Sequence, residues 1–342
     1  MPAPAHILVV RFSAMGDVAM TVPVLKNLLQ QNQHLQITVV SNAFFKPLFT
    51  GLERCYFHPA HLKKEHKGIS GMYRLYKELK ALNQFTAIAD LHGVLRSFNL
   101  RLYFGFAGIP IAAIDKGRKE KKMLARKEDK QLVQLPTSFE RYAVVFKNLG
   151  YTCELKTDQP IFSKQPLPAA AQEFFAGKAK VIGVAPFAQH LQKMYPIQRT
   201  KNVVKALSAE GHNILLLGGG QQEIEILQQW QDEIKVNVFC VAGKFSFAEE
   251  LAIISNLTQM LSMDSANMHL ASLYAVPVIS IWGATHPFAG FYGWGQPVEN
   301  KISVDLYCRP CSVFGNKPCY RGDFACMMRI EENTIIDKID QL

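Results

Sequence analysis

Apolar residues recur along this chain in short unbroken runs, and most runs lead into a stretch with helical spacing. Residues 7–12 read Ile-Leu-Val-Val-Arg-Phe, the pattern of a strand buried on both faces. Ser13 to Asp17 then form a turn, and residues 18–31 place Val22, Leu25, Leu28 and Leu29 at helical intervals. Further strands are predicted over 36–40, 86–90 and 111–114, and a helix over 138–149 that Gly150 stops. This alternation predicts a parallel sheet joined by right-handed crossovers.

Residues 154–168 are polar and hold three prolines, so the spacing predicts a linker there. Strands are then expected over 181–185, 213–217, 236–240, 259–262 and 278–281. Helices are expected over 197–209, 221–231, 247–255 and 268–274. A chain of 342 residues holds two domains comfortably. The expected fold class is α/β, with two Rossmann-like doubly wound domains, 1–160 and 161–342, facing across a cleft. Ligands should bind at the carboxyl ends of the strands.

The longest apolar runs, such as 276–282, fall far short of the roughly 20 residues of a membrane span. Residues 1–6 lack the cationic start and apolar stretch of a secretory signal, which points to the cytoplasm. The net charge of +10 favours an anionic partner: nucleic acid, an acidic membrane face or a phosphorylated substrate. Seven cysteines, three of them scattered in apolar surroundings, fit a reducing compartment.

Several constellations could carry chemistry. Gly16 and Asp17 lie where the first strand exits into a helix; the site suits an anion, while Asp17 on its own reads first as a helix cap. Residues 263–271, Met-Asp-Ser-Ala-Asn-Met-His-Leu-Ala, open a helix behind an apolar strand, with His269 one turn in. They read as a pyrophosphate site or as a capped helix carrying a core histidine. Gly218-Gly219-Gly220 precede Glu223, which could hold ribose hydroxyls or simply occupy a first helical turn. Ala242-Gly243 could meet a base through backbone groups.

Lys63, Lys64 and Lys67 form one basic cluster, and residues 116–130 form another that contains Arg118, Lys119, Lys121 and Lys122. Charge runs ordinarily mark solvated loops. Cys308-x2-Cys311-x7-Cys319-x6-Cys326 could enclose zinc or form a loop of free thiols. No acid or His completes an open catalytic metal site beside them. The dinucleotide glycine fingerprint is missing at Gly16, which disfavours a dehydrogenase. No nucleic-acid motif surrounds the basic runs, so nucleic acid is not an expected partner.

The stretches RFSAMGDVAMTVPVL, DLHGVLRS, FERYAVVFKNLG and MDSANMHLASLYAVPVISIWGATHP, in that order, resemble family 9 glycosyltransferases. The resemblance implies a GT-B fold, with acceptor on the N-terminal domain and nucleotide-sugar on the C-terminal one. It further implies inversion at the anomeric carbon with no metal or cofactor, and heptose passing from ADP-heptose to a lipopolysaccharide inner-core acceptor. Asp17 matches the family's catalytic aspartate, and Lys193, in Lys-Met-Tyr-Pro, the lysine of its Lys-x-Trp-Pro motif; Tyr195 departs from the usual Trp. Gly16, Glu223, Ala242, Gly243, Asp264, Ser265, Ala266 and His269 become the expected donor-binding residues, although Ala266 and Asn267 depart from the family's usual Gly-Pro. Arg96 and the basic residues Lys63, Lys64, Lys67, Arg118, Lys119, Lys121 and Lys122 become the expected acceptor-binding set, facing phosphate. The last helix is expected to pack back on the N-terminal domain, and peripheral contact with the inner membrane is expected. Two other readings stand beside this one. The first is a relative using another nucleotide-sugar. The second is a non-catalytic nucleotide-binding protein docking on anionic membrane through its basic loops.

Overall fold

The structure, a computed structural model, describes residues 5–177 and 179–342. The chain divides into two compact units. One runs up to Arg118 and resumes over Pro136–Thr157; the other comprises Lys119–Leu135 and Asp158–Leu342.

The first unit carries a five-stranded parallel sheet: β1 (Ala5–Val10), β2 (Leu35–Ser41), β3 (Cys55–Pro59), β4 (Ala87–Asp90) and β5 (Ile111–Ala113). The spatial order is β3-β2-β1-β4-β5, so the direction of winding reverses between β1 and β4. Ile7, Leu8, Val9 and Val10 are wholly buried, as expected for a strand covered on both faces. The helices are α1 (Met15–Ala19), α2 (Thr21–Gln31), α3 (Gly68–Leu82), α4 (Leu95–Phe106) and α6 (Ser138–Asn148), while α5 (Arg118–Leu124) falls, beyond its first residue, in the second unit. The single helix expected over 18–31 is broken at Met20. Pro23 accounts for the break, because its ring would collide with the carbonyl of Ala19 in a continuous helix. Met72, Leu75 and Leu79 of α3 and Leu100 and Phe104 of α4 pack on Leu8, Val10 and Ile88 of the sheet.

The second unit carries six parallel strands: β6 (Val181–Ala185), β7 (Asn213–Leu216), β8 (Val238–Cys240), β9 (Gln259–Met263), β10 (Val278–Ile281) and β11 (Lys301–Ile302). Their order is β11-β10-β9-β6-β7-β8, with the reversal between β6 and β9. Around them lie α7 (Ile197–Ala209), α8 (Gln221–Ile234), α9 (Phe247–Asn256), α10 (Ala266–Ser272), α11 (Ala325–Met328) and α12 (Glu332–Asp340).

The last helix, α12, buries Ile335 and Ile339 in the core of the second unit. A helix this short is marginal alone, and each buried isoleucine contributes about 1.5–3 kcal/mol, so packing decides where it lies. Residues 119–135, assigned to the N-terminal half, belong with the second unit. Leu124 and Leu135 pack with Ala289 there, and Leu135 N–H donates to the Phe288 carbonyl at 2.9 Å. Among the described residues no helix is long and apolar enough to cross a membrane.

Candidate functional site

In a doubly wound sheet the loops leaving the strands on either side of the reversal diverge and leave a crevice. In the first unit those loops follow β1 and β4. Arg11, the first residue beyond β1, is buried and donates from Nη1 to the Leu91 carbonyl at 2.7 Å. Its Nη2 lies 2.5 Å from Oδ2 of Asp17, whose side chain is 34% exposed. Asp17 is thus held by a buried cation while still open to a reactant. Ala14 N–H, 3.4 Å from the same Oδ2, and the Tyr142 hydroxyl, donating to the Asp17 carbonyl at 3.4 Å, complete the setting. Gly16 is half-buried beside it.

From β4, buried Asp90 accepts the His92 and Gly93 N–H groups on Oδ1, each at 2.9 Å, and its Oδ2 lies 3.1 Å from Arg101 Nε. This ties down the loop that carries His92. The imidazole of His92 accepts Phe12 N–H on Nδ1 at 3.4 Å, which leaves the proton of the neutral ring on Nε2. Burial first, then Arg11 and Lys116, pushes its pKa down to about 3, so it is uncharged at neutral pH. Burial, Arg11 and Arg118 likewise lower the pKa of Lys116, with Asp17 and Asp90 opposing them. Arg11, Asp90, His92 and Lys116 therefore join Asp17 and exposed Arg96 around one strand edge. Sequence reasoning singled out only Asp17, Gly16 and Arg96 of this group. Arg11 carried a signal, as a charge inside an otherwise apolar strand run.

In the second unit the corresponding edge lies beyond β6 and β9. Lys193, in a turn after β6, places Nζ 2.9 Å from Oδ2 of Asp264, the first residue beyond β9. The Thr285 hydroxyl donates to that same Oδ2 at 2.8 Å. Asp264 is buried and Lys193 nearly so, which fixes where the ammonium sits. Gly315, at φ +76°, lies along the lysine stem; a Cβ there would fall 2.4 Å from Lys193 Cγ. Buried Arg309 braces the arrangement from behind, donating to the carbonyls of Gly283 at 2.6 Å and Thr285 at 3.2 Å. Thr285 lies within the stretch that carries the resemblance but was not itself singled out, and neither Arg309 nor Gly315 carried a motif that marked it in the sequence.

The remaining candidates fall as follows. Ser265 and Ala266 sit half-buried at the start of α10, Ser265 Oγ 3.1 Å from Ser262 Oγ, and His269 is buried one turn in. Glu223, in the first turn of α8, accepts Gly219 N–H on Oε2 at 2.8 Å. Ala242 is buried, and Gly243, at φ +72°, packs so close to Ile224 that a Cβ would meet its Cδ1 at 2.6 Å. Tyr195 is fully buried, its hydroxyl donating to the Ile330 carbonyl at 2.8 Å, so this side chain is part of the core. Lys63, Lys64 and Lys67 are exposed on the turn before α3. Residues 118–124 form a helix and not the loop expected of a charge run. Lys121 on it is buried with its ammonium 4.2 Å above the Phe291 ring, while Arg118, Lys119 and Lys122 are exposed. The cysteines are free thiols, and the Cys308–Cys326 set does not bring three sulfurs within 4.8 Å of one another among the described residues. Burial pushes the Cys326 thiol up to about 11.

Residues 72–318 match the family model Glycosyltransferase family 9 (heptosyltransferase). The chain is a family 9 glycosyltransferase. Curated relatives of this glycosyltransferase include lipooligosaccharide heptosyltransferase 2 of Campylobacter jejuni, 25% identical over 203 residues, which are 58% of either chain. The match thus spans little more than half that relative's length. Lipopolysaccharide heptosyltransferase 1 of Pseudomonas aeruginosa is 21% identical over 331 residues, 90% of this chain and 86% of the relative. Among solved structures, E. coli heptosyltransferase WaaC with ADP superposes with a TM-score of 0.67 at 18% identity, covering 98% of this chain and 99% of that one. The enzyme therefore shares the α/β, two-sheet architecture of GT-B heptosyltransferases.

Proposed function

We propose that this glycosyltransferase moves heptose from ADP-heptose to an anionic lipopolysaccharide inner-core acceptor, inverting the anomeric carbon without a metal ion. The observation that carries the reading is the carboxylate of Asp17, held at 2.5 Å by buried Arg11 at the reversal of the first sheet and still open to solvent. In a direct displacement one base must take the acceptor hydroxyl proton as its oxygen attacks. Asp17 is that base. The new bond forms from the acceptor oxygen to the anomeric carbon, while the bond to the diphosphate oxygen breaks and its electron pair leaves with ADP. Lys193, fixed by Asp264, meets the charge that develops on the diphosphate. Ser265, Ala266 and His269 line the same strand edge for the donor, and Glu223, Ala242 and Gly243 serve the nucleoside.

The relatives named above are heptosyltransferases of lipooligosaccharide and lipopolysaccharide, and WaaC was solved with ADP; both support this donor and acceptor. The reading places the enzyme in the cytoplasm, a reducing compartment suited to its free thiols. Arg96, Lys63, Lys64 and Lys67 of the first unit, with His92 and Lys116, serve the acceptor's phosphates and carboxylates. For Arg118, Lys119 and Lys122 the same role is retained, whereas the buried Lys121 stacks on Phe291.

In a thermal-shift panel run in EDTA, ADP-heptose should raise the melting temperature above every other nucleotide-sugar, because a ligand that binds only the native state stabilises it by mass action. A shift that needs added Mg²⁺, or one favouring another donor, contradicts the assignment. Replacing Lys63, Lys64 and Lys67 with Ala should raise the acceptor KM and flatten its salt dependence, since such contacts are screened over about 10 Å at 0.1 M salt. Steady-state kinetics at low and high salt read this; an unchanged acceptor KM returns these lysines to plain surface.

A further inference from the structure

Helices α3 and α4 each bury one face in the first unit's core and turn the other to solvent. An outward face of a helix is ordinarily polar. On α4 it is not. Leu95, Phe98, Leu102 and Phe106 recur at intervals of three and four, forming one stripe, and all four are exposed, Leu95 to 76% and Phe106 to 87%. On α3, Ile69 and Tyr73 are exposed at the same helical spacing. Tyr103 joins the two stripes: its ring lies 5.4 Å from Tyr73 and 5.5 Å from Tyr76, and its hydroxyl donates to the Ile69 carbonyl at 3.5 Å. A soluble chain seldom leaves so many large apolar side chains together in water unless something covers them.

The charges around this face say what covers it. Arg74, Lys77, Lys80, Arg96 and Arg101 lie on these two helices, whose single acid, Glu78, is taken by His66 at 3.1 Å and His58 at 3.4 Å. Lys77 Nζ sits 5.0 Å over the Tyr73 ring, and the guanidinium of Arg101, which is also paired with buried Asp90, 5.2 Å over Phe98 at the margin of the apolar stripe. Lys63, Lys64 and Lys67 lie exposed on the turn that precedes α3. Apolar and aromatic side chains with Lys and Arg beside them, outnumbering the exposed Glu65 of the turn, match the interfacial zone of a bilayer with anionic headgroups. A protein partner's apolar surface would not call for this predominantly positive border.

We propose that the exposed face of α3 and α4 docks this protein on an anionic lipid bilayer, with Leu95, Phe98, Leu102, Phe106 and Ile69 entering the headgroup region. The step deepens the reading above, since an acceptor anchored in lipid would be met at the surface where it is displayed. It also has a geometric consequence. The chain from β4 passes through His92 into α4, so the docked helix begins within a few residues of the Asp17 edge.

Co-sedimentation with vesicles tests the proposal without any turnover, so its failure is separate from a failure of the transferase reading. The full chain should partition onto vesicles of phosphatidylglycerol and phosphatidylcholine, and far less onto phosphatidylcholine alone. Ile69→Ser, Leu102→Ser and Phe106→Ser together should lower that partition about tenfold or more, from the loss of buried apolar area. Melting temperature should not fall, because all three side chains are exposed. Lys77→Gln with Lys80→Gln should weaken the preference for anionic vesicles while leaving the apolar face intact. A wild-type chain that ignores anionic vesicles, or a triple-serine variant that binds as wild type does, overturns the proposal. So does sedimentation velocity showing a dimer that the serine variant dissociates, with no vesicle binding by either; the face would then be a contact between two copies.

Discussion

Asp17→Asn should abolish transfer and leave ADP affinity nearly unchanged. The amide keeps the shape of the carboxylate but cannot take a proton from the acceptor hydroxyl, and loss of a general base costs about 10²–10⁴-fold in rate. Nucleotide affinity should be spared because the proposed donor residues Lys193, Ser265 and His269 belong to the other compact unit. Arg11 loses its anionic partner in this variant but keeps its hydrogen bond to Leu91, so the β1 exit stays tied to the β4 exit. Single-turnover kinetics beside ADP calorimetry read both quantities. Turnover within a few-fold of wild type removes Asp17 as the base; lost ADP affinity moves it to the donor.

Lys193→Ala should strike both quantities together. Its ammonium is held at 2.9 Å by buried Asp264, at the reversal of the second sheet, and it is the cation proposed to meet the diphosphate. A preorganised donor aimed at developing charge is worth about 10²–10³-fold in kcat, and ground-state attraction to the diphosphate adds a loss of donor affinity. Asp264 is left buried with only the Thr285 hydroxyl on that oxygen, so the melting temperature should fall as well. Lys193→Ala with unchanged donor affinity would place the diphosphate elsewhere. The contrast between the two variants is the informative part: one loses rate alone, the other rate and binding.

Much of the fold was legible because parallel strands buried on both faces announce themselves as unbroken apolar runs. The strands at 181–185 and 278–281 and the helix at 197–209 stand where the spacing put them. β3 was not legible: Cys-Tyr-Phe-His-Pro is an edge strand, half-buried, with no continuous apolar run. Nor was α4, whose exposed apolar stripe erases the polar face by which a surface helix is recognised. Residues 119–135 went to the wrong unit because their charge hid Leu124 and Leu135, the residues that decide where the segment packs.

For the candidate sites, resemblance supplied Asp17 and Lys193, and the structure supplied the groups that hold them. Arg11, Asp90 and His92 on one side, and Thr285, Arg309 and Gly315 on the other, act through contacts between residues distant in sequence. No local spacing encodes such contacts. Asp264 was expected at the donor, and its Oδ2 is occupied by Lys193 and Thr285, which makes it a positioning residue for the lysine.

The central claim is tested most directly by incubating the purified chain with ADP-heptose and a heptose-free inner-core acceptor in EDTA, then analysing the product. The account predicts one heptose added per ADP released, joined in the anomeric configuration opposite to that of the donor. Retained configuration, transfer only from a different nucleotide-sugar, or release of ADP with heptose passing to water alone would contradict it.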